Sequence, residues 1–196
     1  MARAGLNSER LVQAGAALAD EIGFEHLTGA ALARHVGVRL ASLYAHVDSF
    51  DDLKTRIALL ALQELADATG VAVAGRSGKD ALVALANVYR DYARAHPGRF
   101  AAARSPLDPE RAGAGPRLAQ MMRGVLRGYA LPEAEQVHAI RLLGSVFMGY
   151  VTLELAGGFS HSAPDAELSW RRSLDALDLM LRAWPGTDGN TMETMQ

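Results

Sequence analysis

Arg39, Ser42, Tyr44 and His46 place four hydrogen-bonding side chains in a short stretch whose remaining members, Leu40, Ala41, Leu43 and Ala45, are small or aliphatic. In a helix from about Arg39 to Val47, Leu43 and Val47 face inward. Arg39, Leu40, Ala41, Ser42, Ala45 and His46 then form the outer face. A face of small side chains can lie deep in a DNA major groove. There Arg39 and Ser42 could hydrogen-bond base edges, while Leu40 and Ala41 could meet only thymine methyl groups. The alternative is a plain packing unit, with Tyr44 half-buried and His46 on the surface.

Other residues test different chemistry. Glu135-Gln136-Val137-His138 has the Glu-x-x-His spacing of a di-iron carboxylate site, but no second copy exists to complete it. Gly75-Arg76-Ser77-Gly78-Lys79 resembles a phosphate loop only faintly: Asp80 stands where Ser or Thr is needed, and no strand precedes it. The 6 histidines are scattered, and with 0 cysteines thiolate metal sites, cysteine nucleophiles and disulfides are excluded. The expectation is a non-enzyme with no metal and no cofactor.

Helical periodicity runs along nearly the whole chain and no alternating strand pattern appears. The expected fold is all-α, with about nine helices. Asn7 or Ser8 caps a first helix ending at Gly23. Thr28 caps a short second helix that stops at Gly37, and the Gly37-Val38 turn lets the third leave steeply. Asp48 or Ser49 caps a fourth, fading near Gly70. The fifth opens at Lys79 and ends at His96-Pro97-Gly98, with a short segment around Phe100 after it. A loop over 105–115 leads to a helix from Pro116 to about Gly128. A longer one runs from Pro132 to Gly157-Gly158, and the last runs from Asp165 or Ala166 to Pro185.

Thr28, Leu32-Ala33, Gly37-Val38 and Leu43-Tyr44-Ala45-His46-Val47 together resemble the helix-turn-helix of the TetR (tetracycline-repressor-like) family. The likeness covers about residues 7–65. It implies phosphate contacts from Thr28, Tyr44 and His46, and base-facing positions at Arg39, Leu40, Ala41, Ser42 and Ala45. The family's usual Lys at the start of the fourth helix is Phe50 here, with Lys54 one turn on as the candidate substitute. The head is not basic: six positive residues (Arg3, Arg10, Arg34, Arg39, Lys54, Arg56) face seven acids (Glu9, Asp20, Glu21, Glu25, Asp48, Asp51, Asp52). Few ionic DNA contacts and modest affinity are expected.

In this family the C-terminal helices dimerise and enclose a small-molecule pocket. Tyr89, Tyr92, Phe100, Met121, Met122, Phe147, Met148 and Tyr150 are the candidate walls, and aromatic and thioether groups favour an uncharged or weakly polar, apolar or aromatic effector. Residues 143–155 and 89–97 resemble one subgroup, which often has His-Gly where this chain has Met148-Gly149. Gly144 and Gly149 permit close helix approach, and Trp170, Leu174, Leu177, Leu181 and Trp184 form an apolar stripe. These are the candidate homodimer interface.

The chain has 196 residues, 49% of them hydrophobic, and a net charge of -2. No stretch reads as a signal peptide or a membrane span, so a cytoplasmic protein is expected. The expected organisation is a DNA-binding head over 7–55, a regulatory body over 56–185 and a disordered tail over 186–196. The leading expectation is a repressor that binds a palindromic double-stranded DNA operator as a homodimer and is released by a small molecule. The alternative is a helical ligand-binding or interaction module whose degenerate head binds no DNA.

Overall fold

The computed structural model describes residues 6–108, 113–161 and 163–185. The expected tail lies outside them. Among the described residues the fold is all-helical, with nine α-helices and one 3-10 turn at Arg127–Tyr129. The helices are α1 (Ser8–Ile22), α2 (Gly29–Val36), α3 (Leu40–Leu43), α4 (Phe50–Val73), α5 (Gly78–Ala95), α6 (Pro97–Ala103), α7 (Ala114–Leu126), α8 (Glu133–Leu155) and α9 (Ala166–Arg182). None of the described helices is long and apolar enough to cross a membrane.

The caps follow the sequence. Asn7 Oδ1 accepts from Arg10 N at 2.8 Å, Thr28 Oγ1 from Ala31 N at 3.1 Å, Ser49 Oγ from Asp52 N at 3.0 Å and Asp165 Oδ1 from Leu168 N at 2.7 Å. Each satisfies an amide that the helix itself leaves without a partner. α3, α4 and α7 differ from expectation, α4 by running past Gly70 to Val73. α3 is a single turn, with Arg39 as its cap and Tyr44 to His46 in a following turn rather than in the helix. α7 begins at Ala114, two residues before Pro116.

The chain forms two compact units, 1–68 with 90–117, and 69–89 with 118–196. The passage from one to the other falls within α4, α5 and α7. In α4 the passage between the units falls at 68/69.

The first unit packs α1, α2, α3, α6 and the start of α4 around Leu11, Ala16, Leu27, Leu32, Leu43, Leu53 and Ile57, all sealed from solvent. α6 is held against α1 through Gly98, where any side chain would meet the Ala19 carbonyl. Asp20, at the end of α1, reinforces that seam. Its Oδ1 accepts from Arg99 N at 2.8 Å, and its Oδ2 lies 3.1 Å from both Arg99 Nε and His96 Nδ1. Arg99 also reaches Glu64 at 3.3 Å, and the Tyr92 hydroxyl donates to Glu64 Oε2 at 2.8 Å. Burial, then that bond, pushes the Tyr92 hydroxyl well above the usual tyrosine range.

The second unit has its own core of Leu82, Leu85, Leu126, Leu143, Phe147, Trp170 and Leu181. Polar links tie its helices: at a half-buried position Trp170 Nε1 donates to Asn87 Oδ1 at 2.8 Å, and in the interior the Tyr129 hydroxyl donates to Asp178 Oδ1 at 2.8 Å.

Candidate nucleic-acid interface and regulatory unit

The start of α2 and the α3 region make one surface. Gly37, in the left-handed conformation at φ 72°, ends α2, and α3 begins three residues later. Leu43 and Val47 are buried, which fixes the orientation of the short helix. Arg39, Leu40, Ala41, Ser42, Tyr44 and Ala45 are all solvent-facing. Leu40 is 44% and Tyr44 49% exposed, high values for side chains this apolar.

A Cβ placed on Gly29 would lie 3.1 Å from Leu40 Cδ1 and 3.6 Å from both the Tyr44 hydroxyl and Phe50 Cδ2. These side chains therefore gather over the amino end of α2, where Thr28 caps the helix. Partial positive charge at a helix start, beside an exposed hydroxyl, suits a phosphate. His46 is half-buried at the edge of this surface.

Lys54 stands with Nζ 5.2 Å from the Phe24 ring centroid and 5.6 Å from that of Phe50. Phe50 thus occupies the expected lysine position and its ring flanks the next cation along α4. The acids of the head are partly committed elsewhere. Asp20 serves the α6 seam, and Asp52 pairs with Arg56 at 2.7 Å.

Of the expected ligand walls, Tyr89, Met121, Met122, Phe147, Met148 and Tyr150 belong to the second unit, whereas Tyr92 and Phe100 belong to the first. Tyr89 and Phe147 are buried with ring centroids 5.9 Å apart, and Phe147 lies 6.1 Å from Trp170. Tyr150 packs 4.8 Å from both Trp170 and Phe159. Burial pushes the Tyr89 hydroxyl up to about 12, so it stays a neutral group. Met122 is buried, Met148 is half-buried, and Met121 lines a surface cleft.

The α9 stripe has a different setting from the one its sequence invites. Trp170, Leu174, Leu177 and Leu181 are buried within the chain itself, because they are the residues that seat α9 on its own unit. Trp184 is half-buried and donates to Glu135 Oε2 at 3.0 Å. The outward apolar residues are Val137 at 40%, Leu153 at 54% and Leu155 at 43% exposure on α8, with Leu168 at 39% and Leu179 at 67% on α9. Gly149 is exposed and Gly144 half-buried, and a Cβ on either would meet nothing within 4 Å. Among the described residues no three metal-ligating side chains come together.

Comparison with known proteins matches residues 82–177 to the tetracyclin repressor-like C-terminal domain. An uncharacterized HTH-type transcriptional regulator of Mycobacterium tuberculosis is 32% identical over 192 residues, spanning 96% of this chain and 84% of that protein. A TetR variant from Acinetobacter baumannii, solved in complex with minocycline, is 19% identical with a TM-score of 0.69, covering 93% of this chain and 100% of that one. BioQ with its natural double-stranded DNA operator is 18% identical with a TM-score of 0.67, covering 91% and 99%. At these identities the two solved structures speak for the fold alone. With the helix-turn-helix on one unit and the matched C-terminal domain over α5 to α9, the chain belongs to the TetR family of helix-turn-helix transcriptional regulators.

Proposed function

We propose that the chain is a ligand-released repressor that binds a palindromic operator as a homodimer, with its two α3 faces in successive major grooves. The observation that carries this reading is the solvent-facing set Arg39, Leu40, Ala41, Ser42, Tyr44 and Ala45 beside the capped start of α2. Arg39 and Ser42 read base edges. Thr28, Tyr44, His46 and Lys54 hold phosphates and set the register. With so few cations the complex has a shallow salt dependence and modest affinity.

The dimer forms through the outward faces of α8 and α9, around Gly149, Leu153, Leu168 and Leu179. Leaving apolar side chains of this size in water costs solubility, and a second copy would cover them. The effector is a small, largely apolar or aromatic molecule held in the second unit, where Tyr89, Phe147, Met148 and Tyr150 supply the aromatic and thioether surface. Met148 in place of the subgroup's His favours an apolar partner. The solved relatives holding minocycline and operator DNA support the two halves of this reading. Release works through the effector's different affinity for two conformations. α4 is the natural relay, since its residues belong to both units.

The test is a selection of bound duplexes from random DNA by the purified chain. The expected result is an enriched, inverted-repeat sequence with half-sites about one helical turn apart, on the order of 34 Å. Recovery of no sequence above background would favour the ligand-binding module with a silent head.

A further inference from the structure

One cleft in the second unit carries a charge that the proposed effector chemistry does not use. It lies between the end of α4 and α7, with a volume of about 290 Å³. Val73, Met121 and Val125 give it an apolar lining, and Arg76, Gln120 and Arg127 bring polar heads to it.

Arg76 and Arg127 both line the cleft, and a close backbone approach joins the segments that carry them. Gly128 touches the α4–α5 turn so closely that a Cβ on it would lie 2.5 Å from Gly78 N and 3.7 Å from Ser77 C. That contact brings Arg127 beside the turn that carries Arg76. Gly124, one helical turn before Gly128, leaves room for Arg127 to fold over it: a Cβ there would lie 3.4 Å from Arg127 Nη2. Gln120 is about 10 Å further along α7 by helical rise, with Met121 and Val125 between.

Neither arginine of the cleft has a carboxylate partner in it. Arg76 Nη1 is held by the Ala72 carbonyl, and among the described residues neither Arg76 nor Arg127 is ion-paired with a carboxylate. Of the acids in this unit, Asp175 pairs with Lys79 at 2.7 Å and Asp178 with Arg182 at 3.0 Å, while Asp80 lines a separate groove with Arg76 and Lys79. Two guanidinium forks lining an apolar groove match a planar carboxylate on an aliphatic body. A phosphate-only or a purely apolar molecule would use one half of the cleft and waste the other.

We propose that this cleft is a binding site for a small amphipathic monocarboxylate, its carboxylate between Arg76 and Arg127 and its chain along α7 over Met121 and Val125. The site deepens the ligand-responsive reading but is measured without DNA, so the two can fail separately. Isothermal titration calorimetry of the intact chain with octanoate, octanol and acetate tests it. Octanoate should bind saturably, one per chain, at least tenfold tighter than octanol or acetate. The double variant Arg76→Gln with Arg127→Gln should lose at least tenfold in octanoate affinity at unchanged thermal stability, since both residues are exposed. Gly124→Leu, which fills the groove and keeps both charges, should lose octanoate binding as well. Equal binding of octanol and octanoate, wild-type affinity in the double variant, or no octanoate binding by the wild-type chain would each overturn the proposal.

Discussion

The Tyr129 hydroxyl donates to Asp178 Oδ1 at 2.8 Å, and Arg182 Nε meets the other oxygen of the same carboxylate at 3.0 Å. Asp178 is only 6% exposed, so a charged side chain sits in the α9 seam because two donors hold it there. The Arg182 hydrogen bond, with Tyr129 adding to it, keeps the Asp178 carboxyl below the usual carboxylate range. A lowered carboxyl stabilises the fold above its unfolded value of about 4 and loses that contribution as the pH falls through the lowered folded value. Urea unfolding at stepped pH should therefore show a decline below about pH 4 that Asp178→Asn lacks. Asp178→Ala at neutral pH should cost about 1–3 kcal/mol, because the buried Tyr129 hydroxyl loses its acceptor. Equal stability of Asp178→Ala and wild type would mean that the seam does not depend on this carboxylate.

Gly98→Ala tests the seam between α1 and α6. The added methyl group has backbone, not a flexible side chain, in its way at Ala19. Overpacking of this kind costs about 1–3 kcal/mol, often more against backbone. The variant should melt lower than wild type, with the Asp20–Arg99 contacts disturbed. A variant as stable as wild type would show that α6 can draw back from α1 at little cost.

Leu177 and Leu179 separate folding from association. Leu177 is 6% and Leu179 67% exposed. Leu177→Glu should unfold or aggregate the chain, since an unpaired charge would enter the core. Leu179→Glu should remain folded and turn the proposed dimer into a monomer by sedimentation or light scattering. A Leu179→Glu chain that still dimerises would move the interface elsewhere.

Lys54 is flanked by the Phe24 and Phe50 rings. If it contacts a phosphate, Lys54→Ala should weaken binding to all duplexes alike and reduce the salt slope of log affinity by about one. An unchanged slope would make it a packing residue of the Phe24–Phe50 cluster.

Local chemistry was readable in the sequence where the partners are close in the chain. Thr28 three residues before Ala31, Gly37 at the helix end and the buried Leu43 and Val47 all follow from spacing. Burial without partner identity was the limit on α9. The stripe Trp170, Leu174, Leu177, Leu181 announces an inward face, but periodicity cannot say whether the covering surface is the same chain or another. Asp20 with Arg99, and Arg76 with Arg127, lie too far apart in sequence to signal each other. Tyr92 reads like Tyr89 on one helical face, yet it belongs to the first unit, where its hydroxyl is committed to Glu64.

The central claim is that the α3 face reads DNA sequence, and fluorescence anisotropy at fixed salt tests it most directly, with the selected duplex set against a scrambled one. The wild-type chain should prefer its site by at least about a thousandfold. Tyr44→Ala should weaken both duplexes equally, as expected for a phosphate contact. Arg39→Ala should relax the preference at one position per half-site, by about 1–3 kcal/mol. Equal wild-type affinity for the two duplexes, or a preference that survives Arg39→Ala and Ser42→Ala together, would contradict the account.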